Sequence, residues 1–201
     1  METDTQKQRR ERIEDAAYAV LQEKGYKATS MLAVAKKAGC SNETLYRWYG
    51  NKQALFASLV AANTNSVKDQ IEQSIQTDGD TIEELRLLGP RLLQMITSRK
   101  AIALNRAAAG DVYHTQTLGP AIAEGGKNVI APLVGQFIEN GLERGLLRGG
   151  TAQHISQIYI TLLIGDVQIQ RVIGVIPELS PQIREDRADK ACAVIQQLFG
   201  A

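Results

Sequence analysis

The sequence predicts an all-α protein: a small three-helix module at the N-terminus, then a larger helical bundle, with about nine helices in all. Apolar residues recur at helical spacing along almost the whole chain, and no stretch shows the strict alternation of a half-buried strand. Glycines and capping side chains fall where those patterns start and stop. The 201 residues leave room for a small module and a second domain with its own core. The expected division is residues 1–52 for the module and 53–201 for the bundle.

Ile13, Ala16, Ala17, Val20 and Leu21 form the inward face of a first helix that stops at Gly25, with Tyr26 packing just beyond the stop. Thr29 and Ser30 precede the second helix, where a hydroxyl either caps the backbone or donates to a phosphate. Met31, Val34, Ala35 and Ala38 give that helix one apolar stripe, and Gly39 supplies a residue tolerant of positive φ where it ends. Ser41 or Asn42 caps the third helix, which turns Leu45 and Tyr49 inward. Asn42, Glu43, Thr44, Tyr46 and Arg47 then face outward. Amides, hydroxyls and a guanidinium replace the Lys and Glu of an ordinary solvated face, and such groups suit phosphate oxygens and base edges. This is a helix-turn-helix for DNA. Asn51 caps a fourth helix whose Leu55, Phe56, Leu59 and Val60 face back onto the module, and which runs to about Gln76 as the link between domains.

In the second domain, Thr81 and Glu84 form a capping-box signature ahead of Leu85, Leu88, Leu92 and Met95, with Gly89 and Pro90 expected to kink or interrupt the helix. A helix over 98–112 follows, then a loop near 113–117. The segment 118–144 contains Gly125, Gly126 and Pro132 and should bend before Gly145 ends it. Residues 152–173 and 185–199 carry broad apolar surfaces. Their side chains Ile158, Leu162, Ile169, Ile195 and Leu198, with the small residues Gly165, Ala188 and Ala191 permitting close approach, suit a four-helix interface between two copies; the alternative is that they fill the monomer core.

Composition narrows the function. Residues 1–53 carry 10 Lys/Arg against 7 Asp/Glu and residues 54–201 carry 13 against 15, so the basic end is the one with the motif. Two cysteines, Cys40 and Cys192, and two histidines offer neither a disulfide framework nor a tetrahedral zinc set, and no metal or other cofactor is expected. His114 and His154 sit in no motif with a nucleophile, which argues against an enzyme. No apolar run is long enough to span a bilayer and the polar N-terminus lacks a signal-peptide core, so a cytoplasmic protein without membrane contact is expected.

The stretches TSMLAVAKKAGCS and TLYRWYGNKQALF together resemble the DNA-binding domain of the TetR/AcrR family of bacterial transcriptional regulators, over roughly residues 9–60. The resemblance implies a homodimeric repressor on a palindromic double-stranded operator, released by a small-molecule effector. Thr44 and Tyr46 match positions that touch the DNA backbone, and Lys52 presents a charge beside it. Asn42 and Arg47 suit adenine and guanine, although Arg47 serves a phosphate equally well. Glu43 either accepts from cytosine or, the favoured reading, complements the helix dipole. Trp48 occupies a contact position of the family, with packing beneath the helix as its rival. Lys7, Arg9, Arg10 and Arg12 form either an arm toward phosphates or a solvated terminus. The polar candidates to line an effector pocket are Asn105, Arg106, Tyr113, His114, Gln136 and Gln168. Six of ten aromatic residues lie within the first 56 positions, which favours an aliphatic or mixed effector over a planar one. The alternatives are a ligand-independent repressor or an activator of the same family, and a helical protein-interaction module.

Overall fold

The structure, a computed structural model, describes residues 4–72, 79–125 and 130–201. Among these residues there are eleven helices: α1 (Asp4–Ala28), α2 (Met31–Ala38), α3 (Asn42–Tyr49), α4 (Lys52–Glu72), α5 (Thr81–Ile96), α6 (Arg99–Asp111), α7 (Leu118–Gly125), α8 (Ala131–Glu143), α9 (Ala152–Ile164), α10 (Val167–Ile173) and α11 (Pro181–Phe199). The all-α expectation holds, and the count exceeds nine because two long segments break. Gly165, at φ +49, divides the 152–173 segment into α9 and α10. The 118–144 segment divides into α7 and α8, and the bend expected at Gly126 lies outside the described residues, as do residues 73–76 of the expected fourth helix.

The chain forms two units: residues 1–62 with 103–123, and residues 63–102 with 124–201. In the first, Ile13, Ala17, Val34, Leu45, Leu55, Phe56 and Leu59 are buried in one core, and α6 and α7 add Leu104, Ala107 and Leu118. Each fully buried aliphatic side chain contributes about 1.5–3 kcal/mol. The helical hydrogen-bonded run of α1 continues past Gly25, which kinks it at φ 72 and ψ 168.

The second unit packs α5, α8, α9 and α11 around Leu85, Leu93, Phe137, Ile138, Tyr159, Leu163, Cys192 and Ile195. Of the kink or interruption expected at Gly89 and Pro90, the interruption does not occur, since α5 runs unbroken through both. A Cβ on Gly89 would meet the Ala188 Cβ at 2.7 Å, so the bare backbone lets α11 approach closely. The Tyr159 hydroxyl donates to the Leu85 carbonyl at 2.6 Å, which fastens α9 to α5 next to Arg86, the residue whose carbonyl loses its helical donor to Pro90. The capping box is also corrected. Asp80 caps α5, accepting from the amides of Ile82 and Glu83, while Thr81 and Glu84 are buried.

Burial removes several residues from the expected interface between copies. Ala188, Ala191 and Ile195 are closed over by their own chain, at 0–2 % exposure, and have no area left for a second copy. Ile158 is half-buried against the same core. Leu162, Ile169 and Leu198 are exposed at 39 %, 55 % and 58 %, and Gly165 is exposed beside them in the chain. Arg187 seals the break after α9, donating through Nε to the Leu163 carbonyl at 2.9 Å and through Nη2 to that of Ile164 at 3.1 Å. Among the described residues no helix is long and apolar enough to cross a membrane.

Candidate nucleic-acid interface

The turn between α2 and α3 is built by local chemistry at each end. Ser30 caps α2, accepting from the Ala33 amide at 3.2 Å, and Gly39 ends it in the left-handed region at φ 64, its amide donating back to α2 carbonyls. Ser41, not Asn42, caps α3. Its Oγ accepts from the Thr44 amide at 3.1 Å and lies 2.8 Å from the Thr44 hydroxyl. Leu45 is fully buried and, with the half-buried Trp48 and Tyr49, anchors α3 on the core, so the opposite face is held outward.

That outward face carries Glu43, Tyr46 and Arg47, all exposed, with Thr44 half-buried beside them. Glu43 lies in the first turn, where its charge complements the helix dipole. Asn42 is half-buried, and its amide oxygen is shut away from solvent without a hydrogen-bond partner. Bidentate reading of adenine uses both amide atoms, so Asn42 as it stands presents only part of that edge. Trp48 is half-buried and packs against the core of the first unit, the packing alternative to direct contact.

The side chains of Thr29 and Lys52, both expected at the interface, turn toward backbone carbonyls of their own unit. Thr29 is buried, and its hydroxyl donates to the Gly25 carbonyl at 2.8 Å, closing the kink after α1. The Lys52 ammonium donates to the Tyr26 carbonyl and lies 4.0 Å from the centre of the Tyr26 ring. Burial pushes the Lys52 amine below its ordinary range, and the Asp111 carboxylate opposes that shift. Tyr26 in turn meets Phe56 edge to face, ring centres 5.2 Å apart. Its phenol is raised by burial and by Asp111, and it faces Thr115 and Thr117 without closing a hydrogen bond.

Asp111 is the group that sequence reasoning missed in this unit. Fully buried at the end of α6, its carboxylate accepts from the Thr115 amide at 3.1 Å, the Thr115 hydroxyl at 2.6 Å, the Thr117 amide at 2.9 Å and the Leu118 amide at 3.4 Å. Burial works to raise this carboxyl, but the hydrogen bonds outweigh it and hold it below the usual range. The signal was an acidic residue followed by two threonines before a helix start, a pattern that builds such a loop.

Of the polar candidates for an effector pocket, Asn105, Arg106, Tyr113 and His114 belong to the first unit and Gln136 and Gln168 to the second. Tyr113 is 89 % exposed and His114 is exposed, both on the α6–α7 turn, so neither lines a cavity. Arg106 and Gln136 also face solvent, while Asn105 and Gln168 are half-buried in different units. Within the second unit a cavity of about 130 Å³ is lined instead by Gly79, Asp80, Glu83, Glu84, Leu87, Leu88 and Phe137. Glu84 could have been found from spacing, because it shares the i, i+4 stripe with Leu88 and so belongs to the inward face.

Comparison with known proteins agrees with this architecture over both units. Residues 13–59 match the family model of bacterial regulatory proteins of the tetR family, and residues 83–201 match that of the AefR-like transcriptional repressor C-terminal domain. The HTH-type transcriptional regulator YvkB of Bacillus subtilis is 28 % identical over 158 residues, covering 77 % of this chain and 78 % of its own. A TetR-family regulator structure from Mesorhizobium loti superposes with a TM-score of 0.85 at 24 % identity, covering 100 % of both chains. The fold is shared at lower identity with the regulator FadR of Bacillus subtilis, solved with stearoyl-CoA, at a TM-score of 0.75 and 16 % identity over 94 % of this chain and 98 % of that one.

Proposed function

The chain belongs to the TetR family of bacterial transcriptional regulators, with an AefR-like C-terminal domain, and we propose that it acts as a homodimeric repressor that grips a palindromic operator and is released by a small-molecule effector. The observation that carries the DNA-binding part is the outward face of α3. A capped helix, anchored from behind by Leu45, presents Tyr46 and Arg47 to solvent next to the Ser41–Thr44 pair. These are donors for phosphate oxygens and base edges on a helix short enough to enter a major groove. We assign Ser30, Ser41, Thr44 and Tyr46 to the backbone, Arg47 to a base or phosphate, and to Asn42 and Glu43 lesser parts.

One recognition helix touches too few base pairs to select a genomic site, so two heads about 34–36 Å apart are needed. The exposed Leu162, Ile169 and Leu198, together with Ile173, Val175 and Ile183, supply apolar area on α9, α10, α11 and their connection for pairing two copies. Release by an effector is supported by relatives of the fold, since FadR was solved with a bound acyl-CoA. Coupling requires that the effector favour the arrangement that does not fit the operator.

Selection of binding sites from random duplex DNA tests this reading. A recovered palindrome, bound by a dimer with an affinity that falls steeply with salt, supports it. Binding that Arg47→Ala and Tyr46→Ala leave unchanged sinks the assignment to α3. For the pairing surface, Leu198→Glu should shift the protein toward monomer in sedimentation, and an intact dimer removes that face from the interface.

A further inference from the structure

We infer that the cavity between α5 and α8 binds a small organic ammonium, whose charge pairs with the Glu84 carboxylate while its alkyl part lies on Leu87, Leu88 and Phe137. The inference starts from an unmet demand. Glu84 is only 9 % exposed, and neither of its carboxylate oxygens has a hydrogen-bond partner. An ionised carboxylate is an acceptor only, with room for about four donors, and a buried charge without a partner is costly.

Among the described residues the side-chain donors nearby form hydrogen bonds with other groups, and Arg144 acts on Glu84 through its charge alone. Arg144 donates through Nη1 to the Gly79 carbonyl at 2.6 Å, and Arg86 pairs with Glu83 at 3.0 Å and with Asp189 at 3.1 Å. Asp80, on the cavity wall, is an acceptor occupied in capping α5. Gly79 completes the wall on the carboxylate side. A Cβ there would stand 2.8 Å from Glu84 Oε1, so bare backbone is what lets the carboxylate occupy this position.

The chemistry of the wall selects the charge and the size of the occupant. Among the described residues every ionisable group lining the cavity, Asp80, Glu83 and Glu84, is acidic, which repels an anion and favours a cation that brings its own donors. Among the described residues no cluster of three or more metal-ligating side chains exists, so a single carboxylate over leucine and phenylalanine side chains fits an alkylammonium better than a metal ion. A cavity of roughly 150 Å³ holds a benzene-sized molecule, and this one, at about 130 Å³, matches a five-carbon ring or chain. Burial pushes the Glu84 carboxyl up, with Arg144 opposing and Asp80 adding to the shift. Ammonium affinity should therefore rise with pH until Glu84 is ionised in the free protein.

Titration calorimetry on the full chain, without DNA, tests the site with cyclopentylammonium chloride, cyclopentanol and sodium cyclopentanecarboxylate as probes. The ammonium is expected to bind in the millimolar range or tighter, with the alcohol and the carboxylate at least about tenfold weaker, a difference of about 1.4 kcal/mol. Glu84→Gln should reduce ammonium affinity by about tenfold or more while melting no lower than the parent. Leu87→Ser, on the exposed rim, should weaken it several-fold with the carboxylate in place. No ammonium binding, equal binding of the alcohol, or unchanged affinity in both variants overturns the proposal. Its regulatory meaning rests on the effector-responsive reading above. Binding without release of operator DNA keeps the site and rejects that role, whereas release that Glu84→Gln abolishes supports both.

Discussion

Asp111 and Glu84 are both buried carboxylates at helix ends, one in each unit, and their surroundings push them in opposite directions. Asp111 receives five donors from the turn that follows it and stays ionised below the usual range. Glu84 receives none and is pushed upward by burial. Burial alone therefore does not fix the state of an acid; the count of donors does. An acid whose hydrogen bonds are all met by its own loop is a structural fastener, and one left unmet beside a cavity is available to something else.

The largest test of this contrast is Asp111→Ala, which strands the amides of Thr115, Thr117 and Leu118 and should lower stability by about 3 kcal/mol in urea unfolding; a loss below about 1 kcal/mol would mean that the turn holds without its acceptor. Lys52→Ala comes next. It removes a hydrogen bond to Tyr26 and a cation over its ring, so a loss of about 1–2 kcal/mol is expected. An unchanged melt with weakened DNA binding would return Lys52 to the phosphate contacts read from the sequence.

Glu84→Gln should do the reverse of Asp111→Ala, leaving stability at neutral pH unchanged or raised by roughly 1 kcal/mol, since it removes a buried charge that accepts no hydrogen bond and that Arg144 offsets only in part. The smallest effects are the pH dependences. Raised above its unfolded value, the Glu84 carboxyl contributes stability that is present at low pH and lost as pH rises through its folded pKa; the parent should therefore fall relative to Glu84→Gln in that window. Asp111, lowered, contributes stability that is present above its unfolded pKa and lost as pH falls through its folded value, so the gap between parent and Asp111→Asn should close in acid. Parallel stability curves for parent and variant would remove either group from the titration.

Legibility in the sequence followed the range of the interactions. The α2–α3 turn was readable because Ser30, Gly39 and Ser41 act on residues at most four positions away. The cap of α5 was misassigned by one residue, since Asp80 and Thr81 both carry capping oxygens and only the backbone decides which stands at the end. Thr29 and Lys52 looked like interface residues because hydroxyl and ammonium groups suit phosphates. Their partners, the carbonyls of Gly25 and Tyr26, are backbone atoms that no composition pattern marks. The apolar faces of α9 and α11 were equally visible, but the allocation of Ala188, Ala191 and Ile195 to the chain's own core needed the packing of α5 against α11.

By itself the sequence determined the all-α class, the family, the glycine stop of α2 and the polar face of α3, because all of these rest on periodicity and on bonds between near neighbours. Only the tertiary structure decided which polar groups are met. The inward turn of Lys52 and the oxygens of Glu84 that accept no hydrogen bond depend on which distant backbone or side chain arrives beside them. A hydrogen bond acts over about 3 Å, so the partners of a buried group are set by packing.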